Sequence, residues 1–188
     1  MTRWQCAAHG DENHRLHGGN AGDQTGHEVS VSKYSQYRHG WDGVLRYDGK
    51  FKKRVRNRMI KAAVQIANSN VCGYDQYERL TLRQQMVGFN WLLRKIKKLK
   101  KCECDCSSFI GVVVSIAQVP LNRLDYTPVP ADNWTGNEKT YLKARGFVWV
   151  TGIDFETGKG LKPGDVLLCE QHHTSLYIGT NKDGSLYK

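Results

Sequence analysis

The segment Phe109 to Val119, FIGVVVSIAQV, constrains the fold more than any other part of the chain. It is uncharged and apolar nearly all round, unlike a surface helix, which keeps a polar face. It is also too short to cross a bilayer, which takes about 20 apolar residues. The segment therefore reads as a buried central helix, running from Ser107 to Gln118 and stopped near Pro120. An acidic residue, a cysteine and two serines lead into it (Asp105-Cys106-Ser107-Ser108). That places Cys106 at or next to a helix N-terminus, where unpaired N–H groups and the helix dipole favour a thiolate. The thiolate is the nucleophilic form of cysteine.

Around this helix the chain alternates between two kinds of pattern. Glu28 to Ser32 and Gly43 to Tyr47 alternate weakly, as strands do. Phe51 to Asn68 carries Val55, Met59, Ala62, Ala63 and Ile66 at helical spacing. Asn68 to Glu78 reads as a turn, and Leu80 to Lys100 as a second helical region that Gly88 can break. Residues 119–137 hold three of the four prolines and read as a long surface loop. Asn137 to Arg145 is a short helix ended by Gly146. Phe147 to Val150, Val166 to Leu168 and Thr174 to Ile178 follow as strands. Helices first and strands last indicate an α+β fold with an antiparallel sheet. At 188 residues, a single domain spanning 1–188 is expected.

The formal net charge is +10, and it is concentrated. Lys52, Lys53, Arg54, Arg56, Arg58 and Lys61 form one block; Arg94, Lys95, Lys97, Lys98, Lys100 and Lys101 form another. Such blocks attract polyanions, or they are simply solvated helix faces. The N-terminus lacks the apolar core of a secretory signal, so a product made in the cytoplasm is expected, and a disulfide framework is not. Among the six cysteines, Cys102, Cys104 and Cys106 occupy alternate positions. Zinc competes with catalysis as a use for them, yet C-x-C-x-C lacks the usual C-x₂-C spacing.

On the strand from His173, the residues His173, Ser175 and Tyr177 share one face, while Thr174, Leu176 and Ile178 share the other and should meet the core. His173 then points toward whatever packs on the opposite side. A thiol nucleophile needs a neighbouring base, and the two can rest as a thiolate–imidazolium pair.

These residues resemble the NlpC family of cell-wall cysteine peptidases and the related CHAP amidase/peptidase group. The nucleophile motif, similar to D-C-S-[GS]-[FL], is matched by Asp105-Cys106-Ser107-Ser108-Phe109. The second motif, similar to G-D-[IVL] and then H-x-[AGS]-[ILVM]-Y-[IL]-G, is matched by Gly164-Asp165-Val166 and by His173 to Gly179. The nearest likeness is to phage-encoded lysins, where segments similar to residues 73–82 (GYDQYERLTL) and 21–29 (AGDQTGHEV) also occur. The resemblance implies a papain-like, NlpC-type fold with Cys106 as nucleophile and His173 as base.

In that family a third polar residue on the next strand orients the imidazole. Here the chain after Gly179 is too short to supply one. Sequence resembling residues 21–29 can follow that strand in relatives, so the chain looks circularly permuted, with residues 1–28 supplying the missing strand. On that reading Gln5, Ala7 and His9 lie on one strand face, and His9 or Gln5 orients His173. Tyr74 and Asp75 fall where the family places a substrate-pocket tyrosine. Asp23 and Gln24 are candidates for substrate contact or for a tight turn.

The resemblance implies a hydrolase that cleaves an amide of the peptidoglycan stem peptide. It needs no cofactor and no metal. Nucleic acid is not an expected partner, no transmembrane segment is present, and a monomer is expected. A lysin of this kind is held in the cytoplasm and acts at the wall after release. Two alternatives stand beside it: a small basic zinc- and nucleic-acid-binding protein, and a papain-like acyltransferase or toxin.

Overall fold

The computed structural model describes residues 2–35, 37–121 and 126–184. The α+β expectation holds. Six strands form one antiparallel sheet in the order β2 (Val29–Lys33), β1 (Trp4–Ala8), β8 (His173–Gly179), β7 (Val166–Cys169), β3 (Gly43–Tyr47), β6 (Phe147–Val150). The N-terminal strand thus lies inside the sheet, paired with β8 on one side. Gln5 stands opposite Tyr177, and Cys6 opposite Leu176. Both flanks of β1 are occupied, which satisfies its backbone groups and leaves it no free edge.

Helix α1 (Lys52–Ala67) and helix α3 (Cys106–Gln118) pack against each other and on the same face of this sheet. Every residue of α3 is buried, as its all-round apolar pattern required. The cluster it anchors takes in Phe109, Ile110 and Val113 from α3 together with Cys6, Ala8, Leu176 and Ile178 from the sheet.

The opposite face of the sheet is not open. Trp41, Val44, Leu167, Cys169 and Tyr177 form a second buried cluster there, flanked by Tyr34, Tyr37 and Phe155. Segment 34–42 supplies much of this cover, although its sequence shows no clear period.

The helical pattern over Leu80 to Lys100 resolves into two pieces, α2 (Thr81–Gly88) and a 3-10 helix over Leu93–Lys98. Between them Asn90 and Trp91 adopt positive φ, 51° and 58°, and bury the Trp91 ring. A left-handed pair cannot continue an α-helix, so the break falls after Gly88. Because α1 packs against the 3-10 helix, the two basic blocks lie side by side. Helix α4 (Glu138–Lys143) is shorter than the expected Asn137 to Arg145.

The stretch read as a turn after Asn68 contains a strand, β4 (Cys72–Tyr74), which pairs in parallel with β5 (Cys102–Cys104). Gly73 lets the 21–28 loop approach closely: a Cβ there would collide with the Gly22 carbonyl and the Glu28 carboxylate. The two segments that carried the likeness to lysins are thereby packed on one another. Within the loop read over residues 119–137, positions 122–125 lie outside the described residues. No helix among the described residues is long and apolar enough to cross a membrane.

Candidate active site

Asp105 caps α3. Its backbone is extended (φ −107°, ψ −178°), and its carboxylate accepts the Ser108 N–H at 2.7 Å while Ser108 Oγ accepts the Asp105 N–H at 2.9 Å. This reciprocal box fixes the first turn and, with it, the side chain of Cys106. Arg79 forms an ion pair with Asp105 (3.1 Å) and also donates to Ser107 Oγ and to the Asn133 carbonyl. All six cysteines are free. Cys106, at 7% exposure, is the most accessible of them, ahead of Cys169 at 4%. Its sulfur sits beside the N–H of Thr174, the residue after His173.

His173 opens β8 at the hairpin that follows β7. Its ring packs near Tyr37 (centroids 4.9 Å apart), Trp41 (6.0 Å) and His9 (6.1 Å). These rings line a cavity of about 680 Å³. A second pocket, of about 300 Å³, carries Cys106 with Tyr77, Arg79 and Trp134. Gln76, Gln171 and His172 line both, so the thiol and the imidazole open onto adjoining parts of one cleft.

The strand faces divide as expected, with Leu176 and Ile178 toward α3 and Tyr177 away from it. The expected meeting place differs. Helix α3 packs on the Leu176 face of the sheet, and the His173 ring lies with the Tyr37 and Trp41 rings on the other.

Burial acts against a thiolate–imidazolium pair. It pushes the Cys106 thiol well above its ordinary value, and the Asp105 and Glu138 carboxylates push it further, while the N–H groups of Thr174 and Ser107 act in the opposite sense. Asp105 takes the Ser108 N–H of this helix start. Burial likewise pushes His173 down to about 4, assisted by the like charge of His9. Both shifts favour the uncharged forms.

Glu138, the first residue of α4, is fully buried near this thiol. Thr174 Oγ1 donates to its Oε1 at 3.1 Å, and Oε2 has no partner among the described residues. Burial, with Asp105 nearby, raises it to about 8.

The structure separates the other candidates. Residues 4–8 form the strand beside β8, and His9 follows directly. Continuing the Cys6–Leu176 register puts His9 opposite His173. At 6.1 Å the two ring centroids are farther apart than a direct ring-to-ring hydrogen bond permits, roughly 5 Å. Gln5 lines the same cavity, and its Oε1 is buried without a partner among the described residues, as is Trp41 Nε1.

Tyr74 lines the cavity, with its hydroxyl accepting from Gln76 Nε2 at 3.2 Å. Asp75 is instead a fastener. Its carboxylate accepts N–H groups from Gly18 (2.7 Å), Gly19 (3.0 Å), Tyr77 (2.5 Å) and Glu78 (3.2 Å). Asp23 accepts from Thr25, Gly26 and Val29, and Gln24 donates to Ala21 and to Glu28. Neither lines the cavity or the thiol pocket. Cys102 and Cys104 pack with Cys72 in the core, the Cys72 and Cys104 sulfurs 3.5 Å apart. No group of three or more His, Cys, Asp or Glu among the described residues is arranged to hold a metal ion.

Several cleft residues carry no motif. Arg79, Trp134, Tyr37 and Trp41 are brought in by tertiary packing. Gln171 had one local signal, a left-handed turn (φ 66°) in a residue that is not glycine, between two strands.

A thiol at the start of a buried helix, an imidazole at the start of a strand and a cleft joining them define a site suited to thiol chemistry. The family model of the endolysin-like domain matches residues 6–184, and the chain belongs to that family. The membership points to a lysin-type role at the peptidoglycan cell wall. No curated protein and no solved structure matches the chain.

Proposed function

We propose that this endolysin-like protein is a cysteine hydrolase that cleaves an amide bond in bacterial peptidoglycan, with Cys106 as nucleophile and His173 as base and then acid. The observation that carries the reading is the placement of the most accessible thiol beside the Thr174 N–H, one residue from the His173 backbone, in a cleft that both side chains line. Burial favours the uncharged form of both groups, so on this reading the thiol passes its proton to His173 as the sulfur attacks the carbonyl carbon. The C–N bond then breaks, and the imidazolium returns its proton to the leaving amine. Water, deprotonated by the same imidazole, hydrolyses the thioester and restores the thiol. The Cys106 N–H, at the first position of α3, has no partner within the helix and suits the oxyanion. Tyr74 lines the same space.

The arrangement is that of an NlpC- or CHAP-like enzyme whose orienting strand comes from the N-terminus, a circular permutation. The pairing of β1 with β8 supports this, with His9 or Gln5 as the third member acting on His173. Residues 1–188 work as one catalytic domain. The paired basic blocks draw it to an anionic wall once it has been released from the cell that made it.

Replacing Cys106 with Ser tests the assignment directly. Hydrolysis of purified walls should fall at least about a thousandfold, while the melting temperature changes by no more than about 2 °C. Iodoacetamide should label Cys106 before the other five. A C106S variant that still clears walls would remove Cys106 from the mechanism.

A further inference from the structure

The pocket that holds the thiol has a construction that amide cleavage alone does not explain. Two of the chain's most exposed large side chains line it, Tyr77 at 77% and Trp134 at 46% exposure. Water-exposed aromatic faces are normally buried, so two at one pocket mark a surface awaiting a ligand. Neither ring hangs free. Tyr77 stacks on His17 at 4.7 Å with the planes 5° apart, which leaves its other face open. Trp134 lies across Gly136 so closely that no Cβ could fit beneath it.

The loop under Trp134 is fixed to the nucleophile's own helix. Asn133 Nδ2 donates to the Ser107 carbonyl at 2.7 Å, and the Trp134 N–H donates to Asn137 Oδ1 at 2.8 Å. The indole is therefore held at a set distance from Cys106. Around the rings stand the planar amides of Gln76 and Gln171. Flat apolar faces rimmed by planar hydrogen-bonding groups match one class of ligand in particular, the pyranose ring. Such a ring has an apolar C–H face and hydroxyls at its edge. An extended peptide offers no comparable flat face.

We propose that the Cys106 pocket is a sugar subsite, in which Trp134 and Tyr77 hold an N-acetylated amino sugar of the glycan strand. The inference rests on the hydrolase reading for its consequence, which is the choice of bond. With a sugar seated beside the thiol, the amide within reach is the one joining the sugar's lactyl group to the first alanine of the stem. The sulfur bonds to the lactyl carbonyl carbon, and the C–N bond to alanine breaks. The alanine nitrogen leaves with the proton from His173. Water then releases the lactyl carboxylate and returns the thiol. The enzyme is on this account an amidase acting between glycan and peptide, and not an endopeptidase within the stem.

Two measurements test it separately. In the first, purified peptidoglycan is digested with the wild type and analysed by mass spectrometry. Free stem peptides beginning with alanine, together with glycan lacking peptide, are expected. Stems shortened at an internal bond would overturn the subsite while leaving the thiol hydrolase intact. In the second, the Cys106→Ala protein is titrated with soluble N-acetylglucosamine oligomers. Binding should be measurable, about tenfold weaker in Trp134→Ala, and retained in Trp134→Phe, which keeps a flat ring. Failure to bind, or equal binding by Trp134→Ala, overturns the subsite whatever the digestion shows. A second digestion readout guards against misfolding. On intact walls Trp134→Ala should raise KM, and Trp134→Phe should restore it; a raised KM that Trp134→Phe fails to restore overturns the subsite.

Discussion

Asp75 and Glu138 are both buried carboxyl groups, 3% and 0% exposed, and their environments drive them in opposite directions. Burial raises Asp75, but four backbone N–H groups aim at it, and their sum holds it below the usual carboxylate range. Glu138 receives one threonine hydroxyl, faces the Asp105 charge and is raised to about 8. Burial prevails at Glu138, and at Asp75 four backbone donors outweigh it. The fastening loops around Asp23 and Asp75 engage their acceptors fully. Glu138 Oε2, Gln5 Oε1 and Trp41 Nε1 are buried without partners among the described residues. Groups in the first condition build the protein, and groups in the second are free to act on something else.

The sharpest way to break this comparison is Glu138→Gln. The folded-state value of Glu138 lies above its ordinary 4.5, so the stability it contributes is complete below that pH and is lost as pH rises through about 8. The wild type should lose on the order of 4 kcal/mol from this group across that window. Glu138→Gln, which keeps the bond to Thr174 without a charge, should show no such loss in denaturant melts at pH 5 and pH 8.5. Equal pH dependence in the two proteins would mean that Glu138 is ionised throughout.

Asp75→Ala should have the next largest effect, a loss of about 3 kcal/mol at neutral pH, because four donors lose a charged acceptor. Its sign with pH is the reverse. Asp75 is depressed, so its contribution is present above pH 3.8 and fades as pH falls through its lower folded value. Residual activity per folded molecule should stay near that of the wild type. A catalytic defect at full stability would move Asp75 from the fastening set to the working set.

His9→Ala gives the smallest change, about a tenfold fall in turnover, worth roughly 1.4 kcal/mol. Removing a like charge should also move His173 up toward its ordinary value, which NMR titration of the imidazole would show. A shift in titration without loss of turnover would leave Gln5 as the orienting residue.

Much of the site's skeleton is legible in the sequence because it depends on local periods. The all-round apolar pattern identifies α3, and the alternation over residues 173–178 predicts the two faces of β8. Strand β1 has no such period, and its expectation comes from the resemblance to relatives alone. What escapes is set by neighbours distant in sequence. Strands β4 and β5 are three residues each, too short for a period to show, and they exist because each completes the other. What acts on the Cys106 thiol is half legible, because the helix start is a local fact and its burial is not. Glu138 looks like an ordinary residue of the first turn of a short helix. Only the packing of α4 on β3 and β6, together with its bond to Thr174, makes it a buried acid.

The interior position of β1 has a consequence in time. Its partner β8 is synthesised more than 160 residues later, so no contact between them can form until nearly all of the described chain has left the ribosome. Pairings this remote in sequence are slow to close and come late in folding. The cleft wall that joins His9 to His173 is accordingly among the last parts to be made. A nascent chain in which β8 has not yet been made would hold the Cys106 helix without the strand that sets His173 opposite the end of β1.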